Sequence, residues 1–549
     1  MAINGHLRAT MEDGTVYDVQ LSHGRDTVHQ ARARLTLGAW QLSPDHFRVF
    51  VWNSDAPTIT PSNTNSVPVE PPVLFKSIDV AVPEGWAVVD APLRSAYRIP
   101  ETHPTFDAWS LIGPRTPRPR HSAVPQAGGI STAGFFLNGG HRLWWDVVAP
   151  GVDPFAPPPM DDAAARKAAA VLRLESDDWT QSPLPASLRG FVPFWGYDLG
   201  RYTLEDWVIH RFGGRKPWTG PIDFGHVQWG EGHSNHHYDM IGHAVRAALQ
   251  GVPNAWGMAS RMVMAHLQTG IYATDAGRYA WMHTDEKTGG KGEYPGDARE
   301  PHTSHEWDEG LIAWAFLSGD RVAVDTLDAR AARIADKATN KPHEVWNGAG
   351  GARLLGWFVR NLTAFHRAGL RDMGAPCEAL LKHARQTNAG QREWKNVYTS
   401  SAGFAPWMQS LTNSAILDAC ADDGPMAGQP DRQAMIDFVR PMVEWQCREI
   451  VRPSGVAPHW VPVEDDRDQD VFRYRTTQAA WAIPQLWHAV HTLGLADAQY
   501  ALKLAAAKDA VRTSGERFDE YATGNGGGPG WLKTVSSWGV SGLSERYWA

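Results

Sequence analysis

The chain has 549 residues, 43% of them hydrophobic, with 52 basic and 60 acidic side chains for a formal net charge of -8. That much apolar material can bury a sizeable core spread over roughly two to four domains, and an acidic balance with no block of like charge argues against nucleic acid held by bulk electrostatics. The three cysteines, Cys377, Cys420 and Cys447, lie far apart and encode neither a disulfide framework nor a thiolate zinc site. The N-terminal run MAINGHLRATMEDGTVYDVQ lacks a basic start followed by an apolar stretch. Nowhere do about eighteen apolar residues run together, so neither a signal peptide nor a membrane span is expected. A cytoplasmic protein, a virion-associated one and a secreted one with its signal removed would all read this way.

The first 150 residues read as β structure. VYDVQLS, HFRVFVW, SIDVAVP and WAVVDAP are short, β-branched and aromatic, and Gly, Pro, Asp and Asn clusters separate them. This pattern predicts a β-sandwich-like domain over 1–155. Ser54 to Pro72 is rich in Pro, Ser, Thr and Asn and is expected to be an exposed loop. A second Pro-rich stretch, APGVDPFAPPPMDD, ends the β region near Asp162.

Beyond it the apolar residues recur at helical spacing, and helices arrive in pairs divided by Gly, Pro or polar turns. The expected pairs are 237–250 with 255–269, 305–318 with 320–338, 351–369 with 374–386, 406–421 with 430–449, and 475–493 with 495–515. A sixth comes from 160–173 with 202–212, or from the tail. Hairpins at irregular spacing disfavour a fixed-period solenoid and predict an α/α toroid over 156–515, with 516–549 packing on it. The fold class is therefore α+β multidomain, a sandwich-like region followed by a toroid of helical hairpins. NGGGPG in the tail lacks the GK[ST] and helix of a phosphate loop and is expected to be a flexible connection.

Two polar clusters stand out. DFGHVQWGEGHSNHHY, Asp223 to Tyr238, holds four histidines, two carboxylates, an Asn, a Tyr and a Trp. EPHTSHEWDEG, Glu300 to Gly310, holds two histidines, a Trp and four acids. Each leads into a helical pattern, as halves of one site at two helix mouths would. Imidazole, carboxylate, carboxamide and phenol move protons and stabilise charge, and Trp adds a flat apolar face with one donor. A sugar suits that combination.

The runs FWGYDLGRYTLEDWVIHRFGG, WTGPIDFGHVQWGEGHSNHHYD and SHEWDEGLIAWAFLSGD, within roughly residues 190–370, resemble the exo-rhamnogalacturonan-lyase-like proteins and, more loosely, the α/α-toroid lyases and six-hairpin glycosidases. The resemblance implies cleavage of an acidic polysaccharide by β-elimination. Toroid lyases carry an Asn-His pair near the head of an inner helix with a Tyr nearby, matched here by Asn235, His236 or His237, and Tyr238. Asn235 would neutralise the uronate carboxylate, a histidine would take the C5 proton and Tyr238 would protonate the leaving oxygen. Helical neighbours point about 100° apart, so these residues face one substrate only if they precede the helix. The competing role for Tyr238 is packing against a neighbouring helix.

Glycoside hydrolysis is the alternative, using a pair drawn from Glu231, Asp239, Glu306, Asp308 and Glu309. Asp308 and Glu309 sit at a helix start, where the dipole favours acids without any catalytic role. A non-catalytic glycan-binding or structural component, such as a phage tail protein, is the third reading.

His226, His233, His236, His237, His302 and His305 could converge on a metal only if three or four met tetrahedrally, which no spacing enforces. The reading calls for no cofactor and no catalytic metal, with structural Ca or Zn left open. The expected partner is an oligo- or polysaccharide, with neither nucleic acid nor membrane, and assembly into a homo-oligomer or particle is compatible. Of the 26 tryptophans, Trp314, Trp357, Trp407, Trp445, Trp481 and Trp487 fall at apolar helical positions and are expected in the core. Trp218, Trp229, Trp307, Trp346 and Trp460 lie in polar loops and are candidates for stacking on sugar, with His226 and His302 beside them. Arg473 and Arg475, flanking Tyr474, could pair with a uronate carboxylate, or with the acids just upstream.

Overall fold

In the computed structural model the described residues are 2–32, 35–54, 73–89, 112–114, 126–127, 130–137, 142–154, 162–172, 227–229, 232–234, 239–249, 255–267, 271, 307–346, 352–391, 394, 403–404, 406–450, 461–462, 486 and 489–495. Among the described residues antiparallel sheets dominate the N-terminal part and helices the rest, an α+β chain. The strands of the N-terminal part are β1 (Ala2–Met11), β2 (Val16–Ser22), β3 (Thr27–Arg32), β4 (Leu35–Ser43), β5 (His46–Asn53), β6 (Val73–Ala81), β7 (Ala87–Val89), β8 (Ile112–Pro114), β9 (Gln126–Ala127), β10 (Ile130–Leu137) and β11 (Arg142–Val148). One sheet runs β2-β1-β6-β10-β8 and the other β3-β4-β5-β11-β7-β9.

Alternation explains how the sheets pack. Leu7, Ala9 and Met11 of β1, Leu35 and Leu37 of β4, Phe47, Val49 and Val51 of β5, and Leu143, Trp145 and Val147 of β11 share one buried cluster with Phe75, Ile78 and Val80 of β6. The two sheets therefore face each other, as the strand pattern predicts. The second face of β5 and β11 is buried too. In register, Trp144 lies beside Phe50 and Phe50 beside Gly38, while Asp146 lies beside Arg48 and Arg48 beside Trp40. Phe50 and Trp144 belong to the core of the helices, with Trp40 and Trp52 packed against it.

The seam between sheet and helices also holds buried polar groups. The Arg48 guanidinium donates to Asp146 Oδ1 at 3.0 Å and to Asp320, and lies 5.0 Å from the Trp144 ring. Arg142 Nη2 donates to Thr326 Oγ1 at 2.9 Å and to the Leu267 carbonyl at 3.2 Å. Burial alone would raise the Asp146 pKa, but Arg48 and His46 outweigh it and hold the carboxyl down at about 2.

The helices are α1 (Asp162–Leu172), α2 (Met240–Leu249), α3 (Ala255–Ala265), α4 (Glu309–Ser318), α5 (Arg321–Asn340), α6 (Pro342–Val345), α7 (Ala352–Arg367), α8 (Gly374–Thr387), α9 (Pro406–Ala419) and α10 (Arg432–Trp445), the last running into a π turn, Gln446–Ile450. Four expected pairs recur as α2 with α3, α4 with α5, α7 with α8, and α9 with α10, each in mutual contact. The first members touch in the order α2, α4, α7, α9, and the second members α5, α8, α10 touch in a parallel row. Helix α4, EGLIAWAFLS, is apolar around its whole circumference after Glu309. It packs against α1, α2, α3, α5 and α7, as an all-round apolar helix must to hide its surface. No helix among the described residues is long and apolar enough to cross a membrane.

Only 486 and 489–495 of the expected 475–515 pair are described, and the second half of the sixth pair, the 55–72 loop and the 516–549 tail lie outside the described residues.

Candidate functional site

The two polar clusters lead into one point of the fold. Helix α2 starts at Met240, and Asp239 just before it adopts a left-handed φ of 59°, a conformation that Asp tolerates better than most residues. Its carboxylate, with the residue 2% exposed, accepts from the backbone N–H of Gly242 at 3.1 Å. It also accepts from the N–H of Gly310, 71 residues away, at 2.9 Å. One side chain thus satisfies orphan donors of two helices, α2 and α4. Glycine is required at the crossing: a Cβ on Gly310 would lie 2.0 Å from the Gly242 nitrogen, and one on Gly242 would lie 2.2 Å from Asp239 Oδ2.

The start of α4 is held from other sides as well. Asp308 takes both arms of Arg330 from α5, at 2.8 and 2.7 Å, with both side chains fully buried. Glu309 takes Arg360 from α7 at 3.1 and 2.8 Å, and that guanidinium lies 5.4 Å from the Trp357 ring. The backbone N–H of Asp308 donates to Asn361 Oδ1 at 3.1 Å. Four groups from three neighbouring elements therefore converge on one helix end. Such bidentate pairs fix geometry as well as charge.

Asp239, one of the carboxylates considered for hydrolysis, is thereby corrected to a buried structural group, and Asp308 and Glu309 take the structural role that their place at a helix start allowed. Trp307 and Trp346 are corrected too. Trp307 is 2% exposed with its ring edge-on to Trp357, and Trp346 is fully buried edge-on to Trp394, so neither offers a face to a sugar. Trp314 and Trp357 lie in the core as expected, and Trp445 packs at its margin.

Trp229 belongs to β12 (Val227–Trp229), which pairs with β13 (Gly232–Ser234), a hairpin the sequence pattern did not suggest. Its side chain lies outside the described residues, as do Glu231, Asn235, His236, His237, Tyr238, His226, His302, His305, Glu306, Arg473, Tyr474 and Arg475. The left-handed Asp239 marks the N-terminal end of α2.

Among the described residues no group of three or more His, Cys, Asp or Glu is placed to hold a metal ion. The chain matches no protein-family model and no curated protein.

Proposed function

We propose that the protein is a carbohydrate-active enzyme whose helices form an α/α toroid, and that it cleaves an acidic polysaccharide by β-elimination where segments 223–238 and 300–306 meet. The observation that carries this reading is the Asp239 bridge, which ties the helix following one cluster to the helix following the other. Two parallel rows of helices, α2, α4, α7, α9 and α5, α8, α10, support the toroid. Three of the five candidate carboxylates are bound in caps and ion pairs, which leaves Glu231 and Glu306 as the pair that hydrolysis would have to use.

In the proposed reaction Asn235, with Arg473 or Arg475, neutralises the uronate carboxylate. His236 or His237 removes the C5 proton, and the C5–H electrons form the C4–C5 double bond. The bond from C4 to the glycosidic oxygen breaks, and Tyr238 or Tyr474 protonates that oxygen as it leaves. Trp229, His226 and His302 contact the sugar, and His305, Glu306 and Glu231 complete the polar wall.

Three variants test the reading on a uronate-containing polymer, followed by ultraviolet absorbance of the new double bond and by reducing ends. Asn235→Ala should lower turnover by roughly a hundredfold with a smaller effect on affinity, because charge on the carboxylate grows in the transition state. Under hydrolysis, Glu231→Gln or Glu306→Gln would be nearly inactive instead, and reducing ends would form with no ultraviolet product. Oligosaccharide binding without any product would make the protein a binding or structural component.

A further inference from the structure

Asp239 has no role in the elimination chemistry, yet its local structure is unusual in three respects. It is a non-glycine residue at positive φ, it is buried, and its carboxylate bonds to two helices at once. Strained backbone positions persist only where their surroundings over-determine them, and they gather at functional sites. Here the surroundings are Gly242 and Gly310, whose missing side chains let the α2 and α4 backbones meet. We propose that Asp239 is a positioning residue that couples the start of α2 to the start of α4, so that the two helix ends hold or lose their arrangement together. Its catalytic consequence rests on the reading of the segments that precede these helices, 223–238 and 300–306, as one elimination site.

Asp239 acts by leverage. Tyr238 is the last residue of the first cluster and Asp239 follows it directly, while Gly310 closes the second cluster. Arg330, Arg360 and Asn361 fix the α4 end from α5 and α7, so α4 is the anchored partner. Without the carboxylate, the N–H groups of Gly242 and Gly310 would both lose this acceptor, and the start of α2 would lose this polar tie to α4.

Asp239→Ala removes both contacts. Asp239→Asn keeps a residue that tolerates positive φ and one acceptor oxygen, but sets an NH2 group against the second N–H. Both are made in the full-length chain and compared by hydrogen exchange and by turnover. In Asp239→Ala, exchange should quicken by about tenfold or more in peptides from the starts of both α2 and α4, and kcat for elimination should fall by about tenfold or more with KM changed less. Asp239→Asn should lie between Ala and wild type in both measurements, and it carries the test if the Ala variant does not fold. Quickened exchange confined to one helix end overturns the coupling, as does a lowered melting temperature with kcat unchanged in an active enzyme. Should wild-type protein form no unsaturated product, the elimination reading falls separately, and joint or single-helix exchange alone decides whether Asp239 is the coupler.

Discussion

Asp308 and Arg330 are both fully buried, and neither can lose the other cheaply. Asp308→Ala leaves a guanidinium inside the core facing a methyl group, and breaking a buried pair in this way costs on the order of 3–5 kcal/mol. Chemical denaturation should show that loss as a lower midpoint. Asp422, by contrast, pairs with Arg432 while its side chain is 97% exposed, so Asp422→Ala should leave the midpoint unchanged. The sequence carried a usable hint of the first arrangement. Arg360 and Asn361 interrupt the apolar run WFVRNLTAF, and polar groups set among apolar residues on both sides must find buried partners. Their partners lie 51 and 53 residues away, beyond the reach of any local pattern. The same limit explains Trp307 and Trp346. Polar neighbours in sequence suggested open loops, whereas Trp357 and Trp394 cover the rings in space.

Among elements, helices were the most legible because a 3.6-residue period is long enough to be distinctive. The starts of α5, α7, α8 and α9 fall within a residue of their expected positions. Strands with one polar face were harder, and β1 (AINGHLRATM) escaped notice despite pairing with a strand on each side. For β5 and β11 the alternation is visible, but the face that meets the helices mixes Phe50 and Trp144 with Arg48 and Asp146, and Asp320, which pairs with Arg48, lies 272 residues away, so nothing local says that this face is buried. Gly38 gives a test of that outer face. A Cβ there would come within 2.3 Å of the Phe50 ring, which is itself stacked on Trp40 with centroids 3.8 Å apart. The ring has little room to retreat, so Gly38→Ala should destabilise by about 1–3 kcal/mol through overpacking, read as a reduced melting temperature. An unchanged melting temperature would mean that the face yields, and that the sheet and helices are less tightly joined than the stacking indicates.

At the scale of the whole molecule, Arg48 and Arg142 both tie sheet to helices, and Arg48 does so by charge, because its guanidinium joins Asp146 of β11 to Asp320, the N-cap of α5. Asp320 also accepts from Ala323 N–H at 3.1 Å, so the bond reaches the frame of the helix itself. Arg48→Met would retain much of the buried volume but leave two carboxylates without that cation, at a cost on the order of 3–5 kcal/mol. The native chain, with one apolar core shared by Phe50, Trp144 and the helices, should unfold in one cooperative step, and the variant should unfold in two as the sheets and helices part. The pH dependence has a definite sign. The folded Asp146 pKa of about 2 lies below the ordinary 3.8, so its contribution is complete above about pH 4 and is lost as pH falls toward 2. Acid should therefore loosen the seam in the native protein. Asp146→Asn, which cannot titrate, should show lower stability at neutral pH and a shallower fall between pH 4 and 2, measured by denaturant midpoints across that window. Equal slopes in the two proteins would place the acid-sensitive groups away from the seam.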